Sequence, residues 1–445
     1  MRDYTGFIRE YASGAPRLDC ARRGVYPGSV NALEGGVVFM ADEGEEDVLV
    51  CTHPGLFAGQ ERGGLTVAPL NHGSADVLRR LFPFAKPAPV LSRDATCGVG
   101  DRLGIASPGH IRAFEASDVS PVLAQQSMRE LKLTNRSFAD VIDAATFSVF
   151  RAGYRGGFGA DGDHLKTPED IFLALETGCS MITLDCSDHI RREAPDARGI
   201  YGGAIAFAKR IYDEFFAAGG YAAELEISID ETDAPTSPEQ HRFIARELLS
   251  RGVKFATLAP RFCGEFQKGI DYIGGLAQFE REIEIHAGIA REHGYKLSIH
   301  SGSDKFSVFP IIAKHVQGRF HLKTAGTSWL EAMRVVAETD PALYRACHAK
   351  ALASFGEAKQ YYHVTTNLGN VPPLETLSDG ALPALFENPD ARQLIHITYG
   401  FILGDGTLRA RLYALWRRER RAYSDTLFAH IGRHLALIAG KPLRG

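Results

Sequence analysis

Short apolar strands alternate with amphipathic helical segments between residues 96 and 340, and this alternation constrains the fold more than any other feature. Strands that alternate with helices pair in parallel, and eight such units predict an α/β fold, a closed (β/α)8 barrel of the TIM type. An open doubly wound sheet is the alternative. We place the strands, in chain order, in the segments GDRLGIA, PVLAQQS, GADGDHLKT, SMITLDC, AELEISID, KFATLAPR, YKLSIHSG and RFHLKTAG.

Helix boundaries agree with this division. Proline follows a capping residue in TPED and SPEQ, where a helix begins and the missing N–H costs nothing. Glycine ends several of the helices, in ETG, SRG, EHG and VQG, because it readily adopts the left-handed backbone that follows a helix. These signals predict that each helix closes before the next strand begins.

The chain is predicted to have three parts. Residues 1–95 form an N-terminal cap, with strands in GGVVFMAD, EDVLVCTH and GGLTVAPL and a hairpin at DEGEED. Residues 96–340 form the catalytic barrel. Residues 341–445 form a helical extension that packs on the barrel exterior or in a subunit interface, so a homo-oligomer is one alternative.

Composition excludes several classes of function. The chain of 445 residues has 45% hydrophobic and 23% charged residues and a net charge of −4, so it lacks the basic balance of a nucleic-acid-binding protein. The arginine-rich stretch RARLYALWRRERR is interpreted as a solvated or interface face of a helix. Seven cysteines without a CxxC pair predict a reducing, cytoplasmic setting. No signal peptide or apolar membrane span is apparent.

Polar residues are predicted to face the barrel lumen. Side chains alternate between the two faces of a strand, so the apolar residues of ELEISID face the helix layer and leave Glu226 and Asp230 inside. The tetrapeptide HLKT occurs twice, and in both copies the leucine faces outward. Its polar residues then face inward, where an unpaired charge is costly and calls for a partner or a ligand. They are His164, Lys166, His321 and Lys323.

Three histidines are predicted to converge at the end of the barrel where active sites of this fold lie. His164, His300 and His321 belong to the third, seventh and eighth strands. Neutral imidazole binds Zn²⁺, Ni²⁺, Mn²⁺ or Co²⁺, and three strand-borne ligands are typical of a catalytic metal centre with open positions. For any one histidine alone, a hydrogen-bonded structural role is the more common alternative.

Two further segments offer candidate site residues. RFCGEFQKG, after the sixth strand, carries Arg261, Glu265 and Lys268; an arginine there can hold a carboxylate with two hydrogen bonds. CGVGDRLG resembles a dinucleotide fingerprint but has the spacing GxGxxxG and no acidic residue at the expected distance. We interpret it as a loop at the entry to the first strand, and predict no nicotinamide cofactor.

Four segments together resemble the tagaturonate epimerase family: GADGDHLKTPEDIF, LAPRFCGEFQKGIDYIGG, LSIHSGSDKFSVFP and FHLKTAGTSWLEA. The resemblance runs from about residue 95 to about residue 405. It implies an isomerase of hexuronate catabolism that interconverts D-tagaturonate and D-fructuronate with a divalent metal. It also implies that His164, His300 and His321 hold the metal.

Asp163 acts as a base according to the same resemblance. Strict alternation would turn Asp163 outward, so that role requires a bulge in GADGD or a strand that begins later. One departure from the family pattern lies in EFQKG. The family has an acidic residue directly after the phenylalanine, and this chain has Gln267, so Glu265 is the acid named on this loop.

The implied reaction inverts C3, which is β to the ketone, so enolisation alone cannot invert it. Retro-aldol cleavage, rotation of the aldehyde and re-addition can, with a divalent ion that polarises the ketone. The acid/base candidates are Asp163, Asp230 and Glu265. The candidates for holding the substrate carboxylate and hydroxyls are Arg261, Lys166, Lys305 and Lys323.

Three alternatives stay open. Lys323 has a rival role as a Schiff-base former. The protein is otherwise another metal-dependent aldolase or isomerase of sugars or sugar acids, including a ketohexose 4-epimerase. The departure at Gln267 leaves room for a sugar-acid binder without catalytic activity.

Overall fold

The computed structural model describes residues 4–14, 19–217 and 220–444, and the chain divides into two compact units. The first unit comprises Met1–Pro87 and Ala139–Gly157. The second comprises Ala88–Phe138 and Phe158–Gly445, so the C-terminal helices belong to the same unit as the barrel. The domain boundaries predicted after residues 95 and 340 stay predictions.

The first unit contains a five-stranded antiparallel sheet with the order β1-β2-β3-β5-β4. The predicted hairpin is confirmed, since Asp42 pairs with Asp47 across the turn. Helices of this unit are Tyr4–Ala12, His72–Leu81 and, except for its first residue, Phe138–Ala152. The strands are β1 (Asn31–Leu33), β2 (Gly36–Asp42), β3 (Asp47–Cys51), β4 (Gln60–Arg62) and β5 (Leu65–Pro69).

The second unit contains a closed barrel of eight parallel strands, as predicted. Each strand pairs with the next in the chain, and the last pairs with the first, from Phe320–Ala95 to Thr324–Val99. The strands are β6 (Ala95–Gly100), β7 (Ser120–Ser127), β8 (Gly159–Leu165), β9 (Met181–Asp185), β10 (Glu224–Ser228), β11 (Thr257–Ala259), β12 (Lys296–Ile299) and β13 (Phe320–Thr324).

The position of the first barrel strand was predicted wrongly. GDRLGIA lies almost entirely beyond β6, because Asp101 accepts backbone hydrogen bonds from Gly104 and Ala106 at 2.8 Å and folds the segment into a loop. The glycine-rich CGVG is therefore the strand itself and not a loop before it. Gly98 has no room for a side chain, since a Cβ there would lie 1.7 Å from Gln125 Oε1.

Helices surround the barrel, and their boundaries follow the predicted signals. Thr167 accepts a hydrogen bond from the backbone N–H of Asp170, and Gly178 ends the same helix with φ of 105°. Such a cap stabilises a helix by about 1 kcal/mol. The helices are Ser107–Glu115, Met128–Thr134, Pro168–Thr177, Ala197–Ile211, Pro238–Ser250, Leu276–His293, Phe309–Val316 and Thr327–Thr339.

The C-terminal extension packs on the outside of the barrel, around the helix Thr327–Thr339. Trp329 donates to the carbonyl of Ile395 at 2.8 Å, and Trp416 donates to that of Ala332 at 3.0 Å. None of the described helices is both long and apolar enough to cross a membrane. The helices of the extension are Pro341–Ala358, Pro389–Ile397, Tyr399–Gly404, Gly406–Arg418 and Arg420–Ala439.

The barrel lumen is polar, unlike the Val, Ile and Leu layers that usually fill this fold. Apolar strand residues such as Leu225 and Ile227 are buried against the helix layer. The residues between them face inward and are almost completely buried, which is the arrangement that strand alternation predicts. The inward set comprises Thr96, Asp161, Thr183, Glu226, Ser228, Thr257, Ser298 and His321.

Candidate active site

A cavity of about 550 Å³ lies at the carboxyl ends of the barrel strands. Active sites of this fold occupy that end, where loops after several strands meet. Most of the acid/base candidates and histidines predicted from the sequence line the cavity. Its walls include Asp163 and His164 of β8, Asp230 after β10, Arg261 and Glu265 after β11, His300 after β12, Lys323 of β13, and Tyr361–His363 of the C-terminal extension.

A bulge in β8 brings two consecutive residues into the cavity. Gly162 pairs with Ile182 and Leu165 pairs with Leu184, so three steps along β8 match two along β9. His164 has φ of +53°, a left-handed conformation that costs energy in a residue with a side chain. This geometry breaks strict alternation and turns Asp163 into the cavity, which was the condition for a role as a base.

Two histidines and one aspartate form a group of the kind that holds a divalent cation. One ligand atom from each of His164, Asp230 and His300 lies within 4.8 Å of the others. His300 Nδ1 is 3.1 Å from Asp230 Oδ1, and His164 Nε2 is 3.9 Å from the same oxygen. Imidazole and carboxylate suit Zn²⁺, Ni²⁺, Mn²⁺ and Co²⁺, so the donor set fits the predicted cofactor.

His321 lies apart from this group, so the structure does not bring all three predicted histidines together. It is the second residue of β13 and pairs with Ser298, two residues before His300. Its Nδ1 is 2.8 Å from Thr96 Oγ1, and its Nε2 is buried without a hydrogen-bond partner. Burial lowers the pKa of His321 to about 3, so the ring is neutral. Asp230 occupies the third place in the group.

Lys323 is a buried cation in the lumen that contacts three carboxylates. Its Nζ lies 2.7 Å from Asp161 and 3.3 Å from Glu226, and it also contacts Asp163. Although burial works against the charge, Asp161, Asp163 and Glu226 hold the pKa of Lys323 above its usual range. A permanently protonated amine paired in this way is poorly suited to form a Schiff base.

Carboxylates outnumber the cationic side chains in this part of the barrel. His300 contacts Glu226 at 2.8 Å as well as Asp230. Burial opposes the charge of His300, but Asp230 and Glu226 raise its pKa to about 10. Burial likewise opposes the charge of Asp230, yet His300 keeps the pKa of Asp230 below its usual range. A surplus of buried negative charge favours a cation at this position.

Arg261 and Glu265 lie on opposite sides of a short loop and both line the cavity. Arg261 Nη2 is 3.8 Å from Glu265 Oε1, and Arg261 Nη1 donates to the carbonyl of Thr232. Glu265 also lies 3.5 Å from His363 of the C-terminal extension. Its side chain is 38% exposed, so it can exchange protons with solvent while it faces the cavity.

Two residues predicted to contact the substrate, Lys166 and Lys305, are not among those that line the cavity. Lys166 follows the bulge and pairs with Asp188, 2.8 Å away, and Asp185, 3.5 Å away. Lys305 is completely buried and donates to three backbone carbonyls, including that of Gln267 at 2.8 Å. Both amines already have partners, so neither is placed to hold a substrate carboxylate.

Several residues in or beside the cavity were given no role from the sequence. Glu226 was placed inside the barrel, but no role was assigned to it. Tyr361–His363 were assigned to a helical extension outside the barrel, and no periodic pattern marks a return of the chain to the cavity. Arg129 and Lys268 also line the cavity. Arg129 had no signal beyond its position shortly after a predicted strand.

Hydrogen bonds hold the side chain of Gln267 in place beside the cavity. Its Oε1 accepts hydrogen bonds from Thr365 N and Thr365 Oγ1 at 3.0 Å and from Gln393 Nε2 at 3.1 Å. These donors fix the orientation of the amide. Its Nε2 is buried without a partner in a side chain that lines the cavity. The amide therefore has one unpaired N–H donor group, which a carboxylate would lack.

A second group of metal-type side chains lies behind the loop after β12. Asp304 Oδ1 is 2.7 Å from His430 Nε2, and the backbone N–H of Asp304 donates to His434 Nε2 at 2.9 Å. Arg392 Nη2 is 2.9 Å from Asp304 Oδ2 and neutralises the carboxylate. These pairs use the ligand atoms internally, so we interpret the group as a connection between the loop and the C-terminal helices.

Known proteins that are similar to this chain over most of its length are described as tagaturonate/fructuronate epimerases. The model of the tagaturonate epimerase family matches residues 26–199 and 195–438. A Thermotoga maritima protein described as a tagaturonate/fructuronate epimerase is 42% identical over 414 residues, covering 83% of this chain and 86% of its own. The residues matched by the family model include the whole barrel and parts of both flanking regions.

Solved structures give the same result. A glycerol complex of the fructuronate-tagaturonate epimerase from Cohnella laeviribosi is 43% identical, with a TM-score of 0.92 over 97% of this chain and 99% of that chain. The native structure of the same enzyme is 44% identical, with a TM-score of 0.91 over the same shares of the two chains. The chain is therefore an isomerase that belongs to the tagaturonate epimerase family.

Proposed function

We propose that this protein interconverts D-tagaturonate and D-fructuronate by retro-aldol cleavage and re-addition, with a divalent cation as cofactor. The observation that carries the proposal is the group of His164, Asp230 and His300 beside Asp163 in a cavity at the carboxyl ends of the barrel strands. The similar proteins from Thermotoga maritima and Cohnella laeviribosi are described as epimerases of the same two acids.

The cation-binding residues are His164, His300 and Asp230. When bound, the cation would supply Lewis-acid stabilisation of negative charge at the ketone oxygen. Asp163 Oδ1 contacts His164 Nδ1 at 2.8 Å, which leaves Nε2 of that ring directed toward Asp230. A carboxylate behind a ligating histidine fixes the orientation of the ring, so Asp163 supports the ligand as well as facing the substrate.

The residues of this chain supply the proton transfers. A carboxylate, for which Asp163 is the first candidate, removes the proton of the hydroxyl on C3. The C3–C4 bond then breaks, its electron pair enters the ketone system as an enediolate, and C3 becomes an aldehyde. The aldehyde rotates about the C2–C3 bond and presents its other face. Re-addition forms the C3–C4 bond again, and the new alkoxide takes a proton from an acid.

Glu265 is the candidate for that second proton transfer. It reaches the cavity from the loop after β11, whereas Asp163 belongs to β8, so the two carboxyl groups approach from different sides. Inversion requires proton transfer on both faces of C3, and one carboxylate alone would serve only one face. Arg261 Nη2 lies 3.8 Å from Glu265 Oε1, on the same side of the cavity.

The experiment follows hydrogen at C3 in D₂O. Purified protein loaded with Mn²⁺, Ni²⁺, Co²⁺ or Zn²⁺ is incubated with D-tagaturonate, and the product is identified by NMR. We expect D-fructuronate whose C3 retains its original hydrogen, because retro-aldol inversion never breaks that C–H bond. Deuterium at C3 would reject the mechanism. Absence of turnover with every metal, together with tight binding of the acid, would instead identify a sugar-acid binder.

A further inference from the structure

We propose that Lys268 and Arg129 form the subsite that holds the substrate carboxylate and selects sugar acids over neutral sugars. This inference rests on the proposed function, since it assigns one end of the same substrate to named side chains. Neither residue belongs to the cation-binding group or to the acid/base pair. Both line the cavity, from the loop after β11 and from the first helical turns after β7.

Four lysine or arginine side chains line the cavity: Arg129, Arg261, Lys268 and Lys323. Lys323 is already paired with three carboxylates. Arg261 lies 3.8 Å from Glu265 and donates to a backbone carbonyl. Neither Arg129 nor Lys268 has a carboxylate oxygen of the described residues within 4.0 Å. They are the two cations of the cavity that form no ion pair with a carboxylate of the described residues.

Lys268 is held in place by a neutral contact alone. Its Nζ donates to Ser301 Oγ at 3.2 Å, and Ser301 follows His300 directly in the chain. The ammonium therefore sits next to the loop that carries a proposed cation ligand. Burying an ammonium without a counter-ion is costly, and a substrate carboxylate would remove that cost.

Arg129 is fixed at the rim by the C-terminal extension. Its guanidinium carbon is 4.7 Å from the centroid of the Tyr362 ring, and its Nη1 donates to the carbonyl of Tyr361 at 3.3 Å. The contact with the aromatic ring restricts the orientation of the guanidinium. The N–H donors that do not bond to Tyr361 can donate to a ligand.

The two cations line the same cavity, and Glu130 and Glu231 oppose their mutual repulsion. Burial and the charge of Arg129 lower the pKa of Lys268 below its usual value. Two like charges in one wall of a cavity are unfavourable unless an anion lies between them, and a carboxylate can accept hydrogen bonds from both at once. A carboxylate fixed here keeps the three-carbon aldehyde fragment in the cavity while its carbonyl group rotates.

The test measures binding of a probe that cannot be epimerised. D-Gluconate carries a carboxylate on a chain of hydroxyls, and D-glucitol is its neutral counterpart. Calorimetry on the full metal-loaded protein compares the two probes for the wild type, Lys268→Met, Lys268→Arg and Arg129→Met. Lys254→Met is the control, because Lys254 is an exposed lysine near the opposite end of β11 and the substitution removes the same charge.

We expect Lys268→Met and Arg129→Met each to weaken gluconate binding by about 10- to 100-fold, the loss for a hydrogen bond to a charged group. Glucitol binding should change less than about 3-fold, and Lys268→Arg should recover much of the gluconate affinity. Unchanged gluconate affinity in both Met variants would overturn the subsite. Arg129 is exposed, so its variant answers the question even where Lys268→Met fails to fold.

Failure of the subsite and failure of the proposed function give different results. A wild type that epimerises the keto acids, with Met variants that bind gluconate normally, rejects the subsite and leaves the activity. A wild type that binds gluconate through Lys268 and Arg129 but epimerises neither acid supports the subsite and rejects the activity. An increase in KM without a matching decrease in kcat is expected for both variants.

Discussion

Asp163 and His164 are consecutive in the chain, yet both side chains face the cavity and meet at 2.8 Å through Oδ1 and Nδ1. The bulge in β8 and the positive φ of His164 make this possible. In a regular strand one of the two would face the helix layer. The proposed base and a proposed cation ligand are therefore parts of one local structure, and substitutions can separate their roles.

Replacing Asp163 by Asn removes the base but keeps the size and one hydrogen-bonding oxygen. We expect kcat to fall by about 100- to 10,000-fold, the usual contribution of general base catalysis. Metal content by elemental analysis should stay close to one ion per chain. If Asp163 only orients His164, the variant should instead lose metal affinity by about 10- to 100-fold and recover its activity at high metal concentration.

Chelation and substitution of ligands test the cation site directly. Removal of metal with a chelator should abolish epimerisation, and Mn²⁺, Ni²⁺, Co²⁺ or Zn²⁺ should restore it.

His300→Ala should lose bound metal while circular dichroism shows a folded barrel. His321→Gln should keep its metal, because His321 lies outside the group of possible ligands. Loss of metal in His321→Gln would show that the set of three histidines inferred from the sequence is the correct one.

Lys323 is expected to be essential for stability. Lys323→Met leaves Asp161, Asp163 and Glu226 without their common counter-ion in a buried lumen. Breaking a buried ion pair in this way costs about 3–5 kcal/mol, which urea-induced unfolding can measure. Lys254→Met, at the surface, should change the free energy of unfolding by less than about 0.5 kcal/mol. Equal effects of the two substitutions would contradict the importance of the buried pairs.

The same ion pairs predict that Lys323 forms no Schiff base. Its pKa is held above the usual range by three carboxylates despite burial, so the amine stays protonated and is not nucleophilic. Treatment with borohydride in the presence of substrate should produce no mass increase on the peptide that contains Lys323. A reduced adduct on that peptide would support the covalent alternative and exclude the role assigned here.

Stability should depend on pH through Asp304 and His430. Burial opposes both charges, but Glu331 and Asp304 raise the pKa of His430, and Arg392 and His430 hold the pKa of Asp304 well below its usual range. A raised histidine pKa contributes stability that is present below about pH 6.5 and is lost as pH rises through the folded-state value. A lowered aspartate pKa contributes stability above about pH 4, lost on acidification.

Both contributions are present together between about pH 4 and pH 6.5. His430→Gln should therefore lower the free energy of unfolding by about 2 kcal/mol near pH 5.5, and the difference should shrink at alkaline pH. His363→Gln is the control, since that side chain is 74% exposed. A difference that stays constant from pH 5 to pH 9 would show that the charge of His430 does not contribute.

The barrel was predictable because its signals are local. Apolar periods, proline at helix starts and glycine at helix ends each depend on a few neighbouring residues, and helices such as Pro168–Thr177 begin and end where these signals indicate. The first strand was misplaced for a local reason too. Glycine is unfavourable in strands, so CGVG was not recognised as one. Glycine is required at position 98 because the side chain of Gln125, on the neighbouring strand, occupies the space of a Cβ. A short segment of sequence does not reveal such a contact.

The site was predictable only as far as strand alternation holds. Alternation placed His321 and Lys323 inside the barrel correctly but gave no depth along its axis, so His321 was grouped with His300, which lies beyond the end of β12. The bulge in β8 interrupts the alternation and brings Asp163 to the cavity. The pairing of Lys305 with three carbonyls depends on the fold of a loop, which residue type alone does not determine.

The loop after β12 is fixed at both its faces. Asp304 is bound by Arg392 and His430 of the C-terminal helices, and the next residue, Lys305, is bound by carbonyls of the loop after β11. Engineering of the substrate range therefore has little freedom at residues 300–305, where most replacements would break a buried contact. Variant libraries have more to gain from exposed rim residues whose side chains have no proposed role, such as Tyr361, where new shapes can be accommodated.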